Sequence, residues 1–368
     1  MHDQNAAKLL AKVMDWQDLD VVPKFLPTLQ LLADYKYDHY QRFGPGRRFL
    51  ESLALWLDQF NAEDRNAALQ LVVQRLVYFS EAEFTHLVGT AYPDLIVQER
   101  IRLVAEEQDI SSHLVGKISR HIRFKELQLK SLYLGLSDGA RTNDLRRASG
   151  GEISNEQIWQ AYELSDEKAA DMLKELESSL QKSGLEIKRP RFNLIWLLDD
   201  FSGSGNTYIR FDSKSRTFKG KITKIFDRLH RGDLVDTSHY EVFLLLYIAT
   251  RQAIDHIEYW SERFTSEKGH KPLQLRVLCP IESEISLKHE ADAKIRSFLG
   301  KSIYYDERAF DKHIAVGGTE DARLGFANCA LPVVLSHNCP NNSIYLLWGA
   351  ESYSPFGLFP RVSRYREF

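Results

Sequence analysis

The fold of this chain is decided by one stretch, Leu194-Ile195-Trp196-Leu197-Leu198-Asp199-Asp200-Phe201-Ser202-Gly203-Ser204-Gly205-Asn206-Thr207. It begins as an uninterrupted apolar run, which is typical of a strand covered by helices on both faces of a parallel sheet. Two carboxylates and a loop rich in glycine and serine follow that run. Because the carboxyl ends of parallel strands form the ligand crevice of an open sheet, the stretch predicts a ligand site at the end of a buried strand.

The loop after this strand has the chemistry of an anion site. Glycines let backbone N–H groups converge on an anion, and serine and threonine hydroxyls add donors. Two adjacent carboxylates suit the vicinal diol of a ribose, since each accepts hydrogen bonds from hydroxyl groups. The alternative is a tight acidic turn that binds nothing. The predicted ribose-binding acids are Asp199 and Asp200, and the predicted phosphate-binding residues are Ser202, Gly203, Ser204, Gly205, Asn206 and Thr207.

On both sides of this stretch, beyond residue 130, short apolar strands alternate with helical patterns. That alternation predicts an α/β fold built on a parallel sheet. Helices are expected over Ser165–Ser183, Lys221–His230 and Arg251–Phe264. The expected strands are Ser131–Leu136, Asn193–Leu198, Glu241–Ile248, Leu273–Cys279, Leu331–Leu335 and Ser343–Leu347.

The first 125 or so residues carry helical patterns instead. Helices are predicted over Leu50–Phe60 and Phe60–Phe79, and a capping box at Ser80–Glu83 predicts the start of another. Tyr92-Pro93 predicts a break. We therefore expect an all-helical domain over residues 1–125, of winged-helix or similar type although no wing hairpin is legible, and an α/β domain over residues 126–368.

Composition restricts the function classes. The chain has 368 residues with 48 Lys+Arg against 51 Asp+Glu, so its net charge of −3 gives no global attraction to nucleic acid or anionic lipid. Its apolar runs are far shorter than the roughly 20 residues that span a bilayer, and its N-terminus lacks a secretory pattern. A cytoplasmic protein without a membrane segment is expected. Three widely spaced cysteines argue against a disulfide framework and a zinc site.

Two further segments carry candidate anion ligands. After the first predicted strand, small residues and an arginine suit a loop on the pyrophosphate side of a ligand. Downstream, Arg210–Arg231 holds eight cations against two acids. That excess would neutralise pyrophosphate or contact a nucleic-acid backbone, or it is a solvated face. The first segment contributes Ser137, Asp138, Gly139 and Arg141.

The quoted stretch resembles the phosphoribosyl-pyrophosphate signature of type I phosphoribosyltransferases, in which two acids after an apolar strand precede Thr-Gly-x-Thr. Asp199 and Asp200 match the ribose-binding acids, and Gly205 and Thr207 match directly. Ser204 stands where the family usually has threonine. The resemblance implies that residues 203–207 hold the 5′-phosphate. The family usually enters a helix directly after this loop, whereas Tyr208–Phe218 here is expected to be extended or looped.

Residues 125–368 also resemble the phosphoribosyltransferase-like domain of bacterial conflict systems. The motifs that carry this resemblance are SDGAR, NEQIWQAYELS, DDFSGSGNT, NCPNNSIYLLWGAESYSP and LFPR. Members have an N-terminal helical, often winged-helix region, and some are encoded beside retron reverse transcriptases. The resemblance implies antiphage defence and a nucleotide-like ligand.

Three functional hypotheses follow. In the first, the protein binds magnesium-chelated phosphoribosyl pyrophosphate, or a related nucleotide, and makes or breaks a bond at the ribose anomeric carbon. In the second, the loop is a non-catalytic nucleotide sensor. In the third, the protein is a retron accessory protein held in a complex with a reverse transcriptase and its RNA. Mg²⁺ is expected only as part of the substrate, and a homo-oligomer is left open.

Overall fold

The computed structural model of the chain describes residues 3–16, 21–43, 46–162, 165–231, 233–289 and 292–361. Its contacts form two compact units. The first unit combines Met1–Glu83 with Glu282–Phe368, and the second unit is Phe84–Ile281. This grouping by contacts differs from the domain division at residue 125 expected from the sequence, which stays a prediction.

The elements are numbered in chain order. The strands are β1 (Val77–Phe79), β2 (Ser131–Gly135), β3 (Ile158–Gln160), β4 (Leu194–Ser202), β5 (Arg210–Asp212), β6 (Thr217–Lys219), β7 (Glu241–Thr250), β8 (Leu273–Ile281) and β9 (Val333–Leu335). The helices are α1 (Asp3–Val13), α2 (Val21–Tyr35), α3 (Phe49–Asp58), α4 (Ala62–Gln70), α5 (Glu81–Ala91), α6 (Gln98–Gln108), α7 (Val115–Ile118), α8 (Ile122–Leu129), α9 (Thr142–Ala148), α10 (Asp166–Lys182), α11 (Lys221–Arg231), α12 (Arg251–Lys268), α13 (Ala293–Leu299), α14 (Lys312–Ala315) and α15 (Tyr345–Trp348).

The second unit is built on a five-stranded sheet of order β3-β2-β4-β7-β8, and every neighbouring pair is parallel. The α/β expectation with a parallel sheet is thus confirmed. From β2 the chain places β3 on one side and β4 on the other, so the strand order reverses between β2 and β4. Such a switch point opens a crevice at the carboxyl ends of the two strands, where ligands bind in open α/β sheets.

Helices cover both faces of this sheet. One face buries Leu134, Leu197 and Leu244 in a cluster with apolar residues of α10, α11 and α12. On the opposite face the rings of Trp196 and Phe243 stack with centroids 4.3 Å apart. There β8 is joined to α6 by a hydrogen bond from Arg276 to Glu99. Burial on both faces explains why the strands read as continuous apolar runs.

The first unit is mainly helical around its own apolar core, which contains Trp56, Phe298 and Phe359. Its β1 and β9 form a two-stranded parallel sheet. Because β9 lies far along the chain, this pairing binds the N-terminal helices to the C-terminal segment. Within the described part of residues 1–125, β1 pairs with β9 and not with a hairpin partner, so the winged-helix expectation is not confirmed.

Several predicted elements differ in the structure. The helix predicted over Phe60–Phe79 is wrong at its end, because a π-helical turn (Leu71–Arg75) follows α4 and the β-forming residues Val77–Phe79 pair with β9. The break at Tyr92-Pro93 is also wrong. A second π-helical turn, Tyr92–Val97, connects α5 to α6 and places the proline at its start. The strand predicted at Ser343–Leu347 is wrong, since α15 occupies most of it.

Other predicted local features are confirmed. Ser80 and Glu83 exchange the hydrogen bonds of a capping box at the start of α5. The helix predicted over Ser165–Ser183 is α10, and the Ser165 side chain caps it by accepting a hydrogen bond from the Lys168 amide. Among the described residues, no helix has both the length and the hydropathy needed to cross a membrane.

Candidate functional site

The two carboxylates lie inside β4 and not after it. The strand continues past Leu198 to Ser202, because Asp199 pairs with Leu246 and Ser202 pairs with Ala249 of β7. The predicted strand end at Leu198 was therefore wrong. Since successive side chains of a strand point to opposite faces, the two acids are separated by the sheet plane.

Asp199 is held by side chains from three segments and is only 2 % exposed. Its Oδ2 accepts hydrogen bonds from Tyr208 Oη and from Lys221 Nζ, both at 2.8 Å. Its Oδ1 accepts from the Ser137 hydroxyl and from the Asp200 amide. The carboxylate thereby connects the loop after β2, the segment after the predicted phosphate loop and the first residue of α11.

Burial dominates the electrostatics of this cluster. It raises the pKa of Asp199 above its usual value, and the Lys221 ammonium opposes that rise while the Asp200 carboxylate adds to it. The pKa of Tyr208 is also raised, first by burial and then by the Asp199 and Asp200 charges. Tyr208 therefore stays a neutral hydroxyl that donates to Asp199.

Asp200 lies on the other side of the sheet, against the loop after β2. A Cβ added to Gly139 would overlap the Asp200 carboxylate, so glycine at this position lets that carboxylate lie directly against the β2 loop. Asp200 Oδ1 also accepts a hydrogen bond from the Phe201 amide at 2.9 Å. The structure thus brings Asp199 to Ser137 and Asp200 to Gly139, which joins the two segments predicted from the sequence at the switch point.

The other two residues predicted in the β2 loop have partners of their own. Asp138 Oδ1 accepts a hydrogen bond at 2.6 Å from the exposed Tyr162 hydroxyl, at the end of β3. Arg141 has a left-handed backbone with φ of 52°. Its guanidinium lies 5.2 Å from the centre of the Phe84 ring and 3.6 Å from Asp144.

The loop after β4 is shaped by Gly205, whose φ is +78°. A Cβ at this position would lie 2.8 Å from His256 Cδ2 and 3.0 Å from the Ala253 carbonyl oxygen, both in α12. The Gly203 carbonyl accepts a hydrogen bond at 2.7 Å from Thr250 Oγ1 at the end of β7. The loop is therefore fixed against the start of α12, and its close approach requires glycine.

Several backbone amides of the loop after β4 donate no hydrogen bond within the described residues. Among the residues that the structure describes, the N–H groups of Ser204, Gly205 and Thr207 have no hydrogen-bond acceptor. Ser204 and Gly205 are buried, whereas Thr207 is exposed. Buried amides are nearly always hydrogen-bonded in proteins, and consecutive free amides beside a left-handed glycine form a cradle for an anion.

Two cationic residues contact the loop after β4 or follow it closely in the chain. Arg210 Nη1 donates to the Asn206 carbonyl at 3.1 Å, and Lys221 follows directly after the β5–β6 hairpin. This hairpin is the extended segment expected between the loop and α11, which confirms that prediction. Among the described residues, no group of three His, Cys, Asp or Glu side chains is arranged to hold a metal ion.

The sequence analysis missed the roles of Lys221 and Tyr208. Lys221 was considered only as part of a basic segment, although it contacts the first of the two acids. Tyr208 lies immediately after Thr207, one residue beyond the signature. Its position next to the motif was the signal that could have identified it.

The family model of PRTase-CE matches residues 53–361, which is most of the chain. The chain belongs to the PRTase-CE family. Membership confirms a phosphoribosyltransferase-like protein, as expected from the residues around Asp199. The PRTase-CE match begins inside α3, so it also covers most of the helical region that precedes the parallel sheet. A search of curated proteins found no match, and neither did a search of solved structures.

Proposed function

We propose that this PRTase-CE protein binds phosphoribosyl pyrophosphate, or a related nucleotide, at the switch point between β2 and β4, and acts at the ribose anomeric carbon. The observation that carries the proposal is the set of free amides at Ser204, Gly205 and Thr207. These donors suit the 5′-phosphate, because a phosphate offers several acceptor oxygens to converging N–H groups. Asp200 lies near the end of β4, just before this loop, and its carboxylate suits the ribose hydroxyls.

The proposed reaction is a substitution at the anomeric carbon. The bond from this carbon to the pyrophosphate oxygen breaks, and its electron pair leaves with pyrophosphate. A lone pair of the acceptor forms the new bond, and the acceptor's proton passes to solvent. Mg²⁺ is part of the substrate and neutralises the leaving pyrophosphate. The protein contributes by fixing the phosphate and hydroxyls while positive charge develops on the sugar, so no protein nucleophile is needed.

The cluster around Asp199 supports a second candidate, a nucleotide sensor without turnover. Lys221, Tyr208 and Ser137 already occupy the Asp199 carboxylate. Of the two acids, Asp199 is buried and Asp200 is half-buried, so Asp200 is the acid more accessible to a ligand. A ligand that reorganises this cluster would move α11 through Lys221, and such a change requires binding but no chemistry.

Calorimetric titration of phosphoribosyl pyrophosphate with Mg²⁺ tests both candidates. Wild-type protein is compared with Asp200→Asn and with the control Asp171→Asn, which changes an exposed acid on α10. We expect binding by wild type and control, and a loss of at least about tenfold in affinity for Asp200→Asn. Released pyrophosphate is assayed in the same samples. Release identifies an enzyme, binding without release identifies a sensor, and equal affinity in all three proteins contradicts the ribose assignment.

The setting proposed for this activity is antiphage defence in the bacterial cytoplasm, with a retron reverse transcriptase and its RNA as partners. The resemblance of the motif-bearing segments supports it. Plaque counts test the defence role. The bacteria express the retron reverse transcriptase and its RNA together with wild-type protein or with Asp200→Asn at equal expression. A drop in plaque number that Asp200→Asn abolishes is expected. Equal plaque numbers for wild type and an empty vector contradict it.

A further inference from the structure

The segment after the phosphate loop is far more basic than the rest of the chain. Arg210–Arg231 holds eight of the 48 Lys+Arg residues but two of the 51 Asp+Glu residues. The chain as a whole has a net charge of −3. The overall charge of the chain therefore does not account for this local excess of cations. The elements that carry the cations show which of them take part in the fold.

The β5–β6 hairpin is anchored by its aromatic residues. The Phe211 ring stacks on Trp260 of α12 with centroids 5.9 Å apart, and Phe218 contacts Phe264 of the same helix. The turn between the two strands exposes Lys214 and Arg216. The hairpin thus presents these two cations on a fixed element.

Helix α11 has the same division between an anchored and an exposed side. Ile222, Phe226 and Leu229 are buried against the sheet. Lys224 and Arg228 are exposed on the other side, together with the acid Asp227. Gly220 alone separates α11 from β6, so the cations of hairpin and helix belong to one continuous segment.

Some exposed cations of this segment have a partner, and four have none among the residues that the structure describes. Lys219 pairs with Asp212, and Lys221 pairs with Asp199. Within the described part of the chain, Lys214, Arg216, Lys224 and Arg228 take part in no ion pair or cation–π contact. Their charges are therefore not used in ion pairs of the described fold, whereas the apolar residues beside them are buried.

We propose that Lys214, Arg216, Lys224 and Arg228 form a surface that binds the phosphate backbone of a nucleic acid. Lys224 and Arg228 lie four residues apart on α11, a rise of about 6 Å, and Lys214 and Arg216 add two cations on the separate β5–β6 hairpin. A chain of phosphodiesters supplies one negative charge per nucleotide along such a surface. This inference does not depend on the proposed function, because none of the four cations contacts the phosphate loop.

Fluorescence anisotropy with labelled oligothymidylate and oligouridylate of about 20 nucleotides tests the surface. The variant is Lys224→Gln/Arg228→Gln. The control is Lys182→Gln/Lys188→Gln, which removes two exposed cations near the end of α10. We expect wild type and control to bind with a log–log salt slope of about −3, as four phosphate contacts predict, and the variant to lose about tenfold in affinity with a shallower slope. The tighter of the two probes tells whether DNA or RNA is preferred.

Three results would overturn the proposal. Absence of binding by wild type to both oligonucleotides, or an equal loss in variant and control, rules out a specific surface. The variant is also titrated with phosphoribosyl pyrophosphate and Mg²⁺, and unchanged affinity is expected. Loss of that affinity would assign these cations to the small ligand instead. Wild type that binds oligonucleotide but not phosphoribosyl pyrophosphate would remove the proposed function and leave this surface standing.

Discussion

Lys221 Nζ lies 2.8 Å from Asp199 Oδ2 and joins the start of α11 to a carboxylate buried in the central strand. Lys221 is 29 % exposed at its side chain, whereas Asp199 is 2 % exposed. A buried carboxylate loses its hydration, and its partners have to replace that hydration. The position of α11 and the charge of Asp199 are therefore coupled through this one pair.

The first prediction concerns this coupling. Lys221→Met should lower the free energy of unfolding by about 2 kcal/mol at neutral pH, because it leaves the Asp199 carboxylate without its cation. The cost should shrink by at least half when Asp199→Asn is already present, since no buried charge then needs compensation. Urea denaturation of the two single variants and the double variant measures this. Equal costs of Lys221→Met in both backgrounds would show that the pair is not coupled.

The second prediction concerns pH. Burial raises the pKa of Asp199 in the folded protein above its value in the unfolded chain. The folded state then binds more protons, so the stability that Asp199 contributes is complete below the unfolded pKa and is lost as pH rises through the folded pKa. Compared with Asp199→Asn, wild type should lose stability as the pH rises above about 4, the unfolded-state pKa of an aspartate, by no more than about 1.4 kcal/mol per pH unit. A difference that stays constant or grows with pH would contradict the raised pKa.

The central strands of the sheet were accessible from the sequence because they are apolar on both faces. Leu194–Leu198 and Glu241–Ile248 have the continuous apolar runs typical of strands in a parallel sheet covered by helices, and their order along the chain limits the possible topologies. Ser343–Leu347 is just as apolar, yet it forms α15 in the first unit. The apolar sequence of this segment indicates that it is buried. Its tertiary contacts decide whether it forms a strand or a helix.

The site was only partly accessible from the sequence. The motif identified Asp199 and Asp200 as the two acids that follow the apolar run, but it could not show that β4 continues through them. That extension depends on pairing with β7, which is not a local property. Because β4 continues, the two carboxylates lie on opposite faces of the sheet, and Asp199 pairs with Lys221. The signature ends at Thr207 and does not include the hairpin. It therefore contains no spacing that relates residue 199 to residue 221.

The third prediction tests the phosphate loop through Gly205. Gly205→Ala forces an alanine into a left-handed backbone and brings its Cβ within 2.8 Å of His256. We expect a loss of about 2 kcal/mol in stability and at least about tenfold in affinity for phosphoribosyl pyrophosphate. Gly184→Ala is the matched control, because its φ is +75° and a Cβ there meets nothing within 4 Å. It should cost about 1 kcal/mol and leave affinity unchanged. Equal effects of both variants on affinity would mean that the close approach of Gly205 is not used for binding.

The fourth prediction separates ligand binding from stability at Gly139. A Cβ at this position overlaps the end of the Asp200 side chain, and a carboxylate on a rotatable side chain moves away at little cost. Gly139→Ala should therefore change the free energy of unfolding by less than about 1 kcal/mol. The displaced carboxylate should nevertheless weaken binding of phosphoribosyl pyrophosphate by about tenfold, as Asp200→Asn does. Gly89→Ala, where a Cβ meets open space, is the control and should bind like wild type. Calorimetry and urea denaturation of the same samples measure both quantities. If Gly139→Ala binds as tightly as Gly89→Ala while Asp200→Asn is impaired, the Asp200 charge matters but its position against the β2 loop does not.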